Sequence, residues 1–282
     1  MVSVNTFAKI AVCQIIQDYF LHVMLLEGLQ LNVLQSNACK NSGLKVSKMT
    51  KLRNVISDRS SQTDHVEHPS VLKRLHGTFM VIAWLFFNSL GVSVARYFKQ
   101  TWINRQHFGV LRWNFYHRVY MSCCWILTSA AIIFIFIDLK GYKASAHAIV
   151  GLTTFALCFL QPILGILSPP QQQARNALQF LHRIIGHVAY ILAVTSMFLA
   201  VGLQAARVSK TMYGLLAGSI FIHVLAHIMF IFLEHLTRQK EVLALNANED
   251  ASFSRWRKTT LMLQMIGLYA FTFANVVYVW GG

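Results

Sequence analysis

Six long apolar segments are the feature that most constrains the fold of this chain. Each contains roughly the twenty apolar residues that a helix needs to cross a bilayer, and they run over residues 76–97, 113–137, 146–167, 181–205, 212–236 and 261–280. An unpaired backbone amide in hydrocarbon costs several kcal/mol, so a spanning segment must be a helix or part of a closed barrel. None of the segments shows the alternation of a membrane barrel. We therefore predict an all-α membrane protein with six transmembrane helices.

The charged residues indicate how these helices are oriented. The net charge is +15, but the basic residues cluster at the ends of the apolar segments, where they contact lipid headgroups and set topology. We therefore expect a lipid bilayer and no nucleic acid as partner. The loops after the first, third and fifth segments are the most basic, which predicts that they are cytoplasmic and that Gly282 is not. Lys73 and Arg74, before the first segment, are exceptions to this bias.

The first seventy residues differ from the rest of the chain. Residues 7–34 are moderately apolar but contain several charges, which favours an amphipathic interfacial helix. Residues 37–69 are polar and are predicted to form a flexible linker. We expect three parts: an N-terminal segment (1–70), a helical core (71–240), and a loop with the sixth helix (241–282).

Four histidines lie near the starts of the first four apolar segments: His76, His117, His147 and His182. Ionisable side chains inside a bilayer are costly and usually functional. The first and third segments run in one direction and the second and fourth in the other, so depth pairs His76 with His147 and His117 with His182. An iron porphyrin with two axial imidazoles needs both on facing helices. The pattern predicts a four-helix core that holds two b-type haems, very roughly 15 to 20 Å apart.

The alternative is that the four candidate ligands are ordinary helix-end histidines that lie at the membrane interface. Among the others, His187 is expected to be a buried hydrogen-bonding residue, because it points away from the face of His182. His223 and His227 share a face of the fifth segment, a spacing that suits a metal or a back-up ligand, and His235 is expected to be solvated. The cysteines show no disulfide spacing and are interpreted as packing residues.

The residues around the four histidines resemble the cytochrome b561 superfamily and, within it, the membrane domain of ferric-chelate reductase-like (stromal cell-derived receptor) proteins. The similarity covers roughly residues 70–240. It is carried by His76-Gly77, Met80, Ala83-Trp84, Gly91, Ala95-Arg96, His117-Arg118, Met121, His147, Gly151, Leu160-Gln161-Pro162, Pro169-Pro170, Arg175, His182 and Gly186.

The resemblance implies the same four haem ligands and the same pairing. It also implies that cytosolic ascorbate donates electrons and that a ferric chelate or monodehydroascorbate accepts them on the other side. The candidates for contacts with ascorbate or the haem propionates are Arg112, Arg118, Arg175 and Arg183, each of which is otherwise a topology anchor. Related reductases commonly carry reelin-like and DOMON domains before the membrane core, and seventy residues are too few for a DOMON sandwich.

The leading hypothesis is therefore an ascorbate-dependent transmembrane oxidoreductase with ferric reductase activity, and a homodimer is one option for its assembly. A non-enzymatic membrane receptor or scaffold of the same fold is the main alternative. A transporter with a histidine proton relay is less favoured, because the four histidines fall at two separate depths and the segments lack the Gly/Pro interruption of a midplane site.

Overall fold

A computed structural model describes residues 69–99, 101–102, 105–139, 144–167, 174–241 and 253–281. The predicted interfacial helix, the linker and the double-proline turn after the third segment lie outside these residues. The described part is dominated by long helices, with one short hairpin between the first two. That hairpin pairs β1 (Gln106–His107) with β2 (Val110–Leu111) in antiparallel register.

Among the described residues, six helices are long and apolar enough to cross a membrane, as the sequence predicted. They are α1 (Val71–Tyr97), α2 (Arg112–Leu139), α3 (Ala146–Ile166), α4 (Ala174–Val201), α5 (Thr211–Glu241) and α6 (Ser254–Gly281). The largest differences from prediction are at α4 and α6, which each begin seven residues before their apolar segments. The residues added to α4 are mostly good helix formers, so that helix continues past the apolar stretch.

Two helices begin at serine caps that satisfy their first backbone N–H groups. The Ser70 side chain accepts a hydrogen bond from the Lys73 N–H at 3.3 Å, and Ser145 accepts one from the Ala148 N–H at 3.1 Å. Such caps typically contribute about 1 kcal/mol. Both caps stand a few residues before a predicted ligand histidine, so they fix where that histidine falls along its helix.

Helix α1 is the central helix of the bundle. About 61% of its most apolar window is buried, against 17–28% for the other five helices. Its middle section, Ile82–Asn88, is a π-helical segment, a feature often found at functional sites. Trp84 in this segment packs with the buried thiols of Cys124 and Cys158, which are packing residues as expected.

Glycines allow close approach of neighbouring helices. A Cβ on Gly91 of α1 would lie 3.2 Å from Cβ of Tyr120 and 2.5 Å from Cε of Met121 on α2. A Cβ on Gly218 of α5 would lie 2.3 Å from the Phe271 ring of α6. Small residues at such contacts are the usual means of packing helices in membranes.

The two basic residues before the first apolar segment have local partners. Lys73 forms an ion pair with Asp138 at 3.4 Å, and Arg74 donates a hydrogen bond to the Trp280 backbone carbonyl. Their position thus reflects pairing with the ends of α2 and α6, which accounts for the exception to the charge bias.

Candidate functional site

The structure brings the four predicted histidines together as two facing pairs. The ring centres of His76 on α1 and His147 on α3 are 6.2 Å apart, with ring planes at 86°. The ring centres of His117 on α2 and His182 on α4 are 6.3 Å apart, with planes at 87°. The two pairs lie near opposite ends of the bundle and have the same geometry.

Backbone carbonyls on neighbouring helices orient three of these imidazoles. Nδ1 of His76 lies 2.9 Å from the Ala131 oxygen and Nδ1 of His117 lies 3.0 Å from the Gly91 oxygen. Nδ1 of His147 lies 2.9 Å from the Ser196 oxygen, with the Ser196 hydroxyl at 3.0 Å. A carbonyl only accepts, so Nδ1 must carry the proton, and the neutral ring then keeps a lone pair on Nε2.

Gln161 is the partner of the fourth imidazole, His182. The Gln161 main chain hydrogen-bonds the ring, and the Gln161 side-chain amide lies 2.8 Å from Nδ1. The other end of this amide lies 2.9 Å from the Gly186 nitrogen. A metal on Nε2 leaves the ring proton on Nδ1, so the ligating form of His182 donates to Gln161.

The contacts are reciprocal between helices. Helices α1 and α2 exchange the bonds His76 to Ala131 and His117 to Gly91, and α3 and α4 do the same with His147 to Ser196 and His182 to Gln161. Each of the helices α1 to α4 thus carries a histidine at one level and a hydrogen-bond acceptor at the other, and 14 or 15 residues separate the two along the chain. At 1.5 Å rise per residue, the two levels are about 21 Å apart. The sequence estimate was slightly shorter, because it relied on loop charges.

The pairs fit the requirements of a haem. Two imidazoles that bind one metal through nitrogen at about 2.0–2.1 Å have ring centres roughly 6.4 Å apart, close to both measured separations. Within the described residues, no group of three or more His, Cys, Asp or Glu is placed to hold a metal ion. A pair supplies only two ligands, and a bound porphyrin would supply the others.

The structure describes the side chains of three of the four predicted arginines, and Arg118 and Arg183 each act electrostatically on a histidine of one facing pair, His117 and His182 respectively. Arg112 lies over the Trp102 ring at 5.3 Å, while Arg118 and Arg183 are exposed. Arg175 falls in α4, but its side chain lies outside the described residues. A cavity of about 120 Å³ lies at the end of the bundle near His117 and His182. None of the four predicted arginines lines it; its lining residues are Arg96, Tyr97, Lys99, Glu234 and Arg257. Sequence reasoning missed this cavity because its residues come from three separate parts of the chain.

For the remaining histidines, the predicted burial of His187 was wrong, and the structure adds partners to the predicted pair of His223 and His227. His187 is exposed rather than buried, because its side chain turns back along its own helix to the Arg183 carbonyl, 2.6 Å from Nδ1. His223 is buried and lies 4.4 Å from His227 between ring centres. Their partners on other helices include Tyr97 and Gln264. Polar side chains within apolar segments were the signal for this cluster.

Comparisons with known proteins agree with this architecture. Residues 75–210 match the family model described as eukaryotic cytochrome b561. Over 57% of its own length, this chain is 40% identical to a Drosophila melanogaster protein with the provisional name ferric-chelate reductase 1 homolog. Over 79% of its own length, it is 32% identical to a Xenopus laevis protein with the provisional name ferric-chelate reductase 1. It is 34% identical to the human protein named ferric-chelate reductase 1 over 48% of its length. No solved structure gave a significant match.

The matched region covers the four histidines and most of the bundle. The chain spans only 25%, 40% and 24% of the lengths of these three relatives. The cytochrome b561 family has a six-helix membrane fold that binds haem b, and six such helices are present here. This chain therefore carries a cytochrome b561 domain over residues 75–210 and is similar to the ferric-chelate reductase-like proteins.

Proposed function

We propose that this protein transfers electrons across a membrane, from ascorbate in the cytosol to a ferric chelate on the opposite side. The observation that carries the proposal is the pair of facing histidine couples at two levels of one bundle. Two histidine pairs at different depths are suited to electron transfer through the apolar core of the bundle, which ions cannot enter. Monodehydroascorbate is the second acceptor that the proposal allows.

In this proposal the protein holds two haems. His117 and His182 would hold the inner haem, and His76 and His147 would hold the outer haem. Bound haem b supplies the one-electron chemistry. The chain supplies ligation, burial and orientation: the bonds at Nδ1 fix each ring and raise the basicity of Nε2 toward iron. This support is present at all four rings.

The distribution of charge supports the direction of transfer. Arg96, Lys99 and Arg257 line the cavity at the end of the bundle nearest His117 and His182, and Glu234 is its one acidic residue. A basic end is expected on the cytoplasmic side, with the C-terminus on the other side. A cavity of this charge also raises the local concentration of an anion such as ascorbate, and the exposed Arg118 and Arg183 add to the same field.

Iron as the acceptor is supported by the names of the relatives. The human and mouse proteins are named ferric-chelate reductase 1, at 34% and 32% identity. A plasma membrane and an endosomal or lysosomal membrane both give the outer haem access to ferric chelates.

The direct test is a reduced-minus-oxidised spectrum of the purified protein with haem quantification, for the wild type and four His→Ala variants. We expect two haems in the wild type and about one in each variant, since each centre needs both of its ligands. His117→Ala and His182→Ala should slow reduction by ascorbate. His76→Ala and His147→Ala should spare initial reduction but block ferric turnover.

His235→Ala provides the matched control, because His235 is an exposed histidine near the end of α5 and should leave both centres intact. Loss of the same centre in all four variants would contradict the pairing. Normal reduction by ascorbate without turnover of any acceptor in proteoliposomes would instead favour a receptor or scaffold.

A further inference from the structure

A third histidine pair lies in the bundle, outside the four proposed ligands. His223 and His227 stand one turn apart on α5, and His223 is only 7% exposed. Gln264 of α6 lies 3.0 Å from Nδ1 of His223, and the Tyr190 ring of α4 is 5.4 Å away between centres. Intramembrane ionisable groups are rare and usually functional, so this pair needs an explanation.

The pair is connected to the cavity at the basic end of the bundle. The Tyr97 hydroxyl lies 2.9 Å from Nδ1 of His227, and Tyr97 is also part of the cavity wall. Nε2 of His227 is buried and has no hydrogen-bond partner among the described residues. A hydroxyl can both donate and accept. When Tyr97 accepts from Nδ1, the buried Nε2 keeps a free lone pair that can bind a proton.

The same turn of α1 joins this cluster to the inner haem site. Gly91 accepts the hydrogen bond from His117, and the serines two residues to either side point into the cluster. Ser93 accepts from Gln264 at 3.0 Å, and Ser89 shares a hydrogen bond with Tyr190 at 3.3 Å. The cluster therefore lies on the other side of α1 from His117.

We propose that His227 takes up a proton from the cytoplasmic face when an electron enters the centre held by His117 and His182. This inference rests on the proposed function. The electron lowers the charge of the metal centre by one. The proton, released from water at the cavity, binds the Nε2 lone pair of His227, so the net charge of the bundle is unchanged. The electron donor is ascorbate, as above.

Electrostatics gives the direction of the coupling. Opposite charges attract strongly in a medium of low dielectric, so each electron favours a proton nearby, and by linkage each proton favours the electron. The groups around His227 that bear on its charge are Arg96 and Tyr97 on α1, His223 on α5, and His187 on α4. Tyr190 of α4 and the neutral Gln264 of α6 face His223. Arg96 is the cation in this set and opposes a second positive charge on His227.

Polar contacts between membrane helices also serve as simple packing interactions, and a substitution separates the two roles. His227→Gln keeps a polar group that can bond Tyr97 but cannot bind a proton near neutral pH. His235→Gln is the matched control, on the same helix but exposed.

The experiment reduces the haem-loaded protein at an electrode, so that no donor contributes protons, and follows proton uptake with a pH indicator while the haem spectrum counts electrons. We expect His227→Gln to lower the number of protons per electron by about half or more, and His235→Gln to leave it unchanged. Equal uptake per electron in wild type and His227→Gln would overturn the inference. A preparation that holds no haem contradicts the proposed function instead.

A second measurement does not depend on electron transfer. Infrared difference spectra of the oxidised protein, recorded over a pH series, should contain an imidazole protonation band that is absent in His227→Gln. Tyr97→Phe keeps the imidazole but removes the link to the cavity, so it should slow proton uptake and leave the infrared band in place. An unchanged infrared titration in His227→Gln would also contradict the assignment.

Discussion

Replacing Gly91 with alanine should lower haem affinity at the inner site, because it moves the backbone carbonyl that orients His117. The new Cβ would lie 2.5 Å from Cε of Met121, which can rotate away, and 3.2 Å from Cβ of Tyr120, which cannot move without its helix. Carbon atoms pack best at about 3.5–4.0 Å, so α1 and α2 must separate by a few tenths of an ångström. The bond from His117 to the Gly91 carbonyl, now 3.0 Å, would lengthen to about 3.3 Å, beyond the favourable range.

The expected magnitude differs between stability and haem binding. Overpacking costs about 1–3 kcal/mol, but alanine is favoured over glycine in a helix by about 1 kcal/mol, so the change in unfolding free energy should be small. Loss of a bond that orients a metal ligand lowers affinity about 10- to 100-fold. Haem affinity at the inner centre should therefore fall clearly while the bundle remains folded.

The assay is a haem titration of haem-depleted protein, read as the reduced-minus-oxidised amplitude of each centre. Gly214→Ala is the control, because a Cβ there meets nothing within 4 Å. Wild-type affinity at both centres in Gly91→Ala would refute the idea that this carbonyl orients His117. An equal loss at both centres would show a general effect on the bundle rather than a local one.

Three further substitutions test the same structure. Gln161→Leu removes the side-chain amide 2.8 Å from His182 but keeps the main-chain hydrogen bond, so haem affinity at the inner centre should fall by less than the roughly tenfold expected for loss of the whole ligand-orienting contact, with the outer centre unchanged in the same titration. Ser196→Ala removes the hydroxyl beside His147 but keeps the carbonyl at 2.9 Å, so outer haem affinity should change little; a large loss would mean that the hydroxyl is the main partner. Gly218→Ala places a Cβ 2.3 Å from the Phe271 ring and should lower stability by about 1–3 kcal/mol in thermal unfolding, whereas an unchanged melting temperature would show that α5 and α6 pack more loosely.

The fold was accessible from the sequence because hydrocarbon leaves few choices. The length of the six apolar segments determines the helices almost directly, and the four histidines fall into pairs once the direction of each helix is known. The ends of the helices were less predictable: α4 begins at Ala174, since a helix can extend beyond the apolar stretch into the interface.

The contacts of the site depend on which helix faces which, and apolar periodicity does not contain that information. Nothing in the local sequence marks Gly91, Ala131 or Ser196 as acceptors, because each acts through its backbone carbonyl. The partners of His223 and His227 were missed for a related reason. Gln264 is separated from His223 by 41 residues, so only the packing of α5 on α6 brings them together.

The reciprocal bonds between helices have a consequence for how this protein can change. The distance between the two histidine levels is determined by the number of residues between the histidine and the hydrogen-bond acceptor on the same helix. Replacing core side chains leaves that count untouched, so the distance over which an electron would tunnel in the proposed function is insensitive to ordinary point substitution. Inserting one residue within α2 between His117 and Ala131 would turn the helix by 100° and shift it by 1.5 Å, and would misalign both centres at once. The spacing is thus tolerant of mutation and intolerant of insertion.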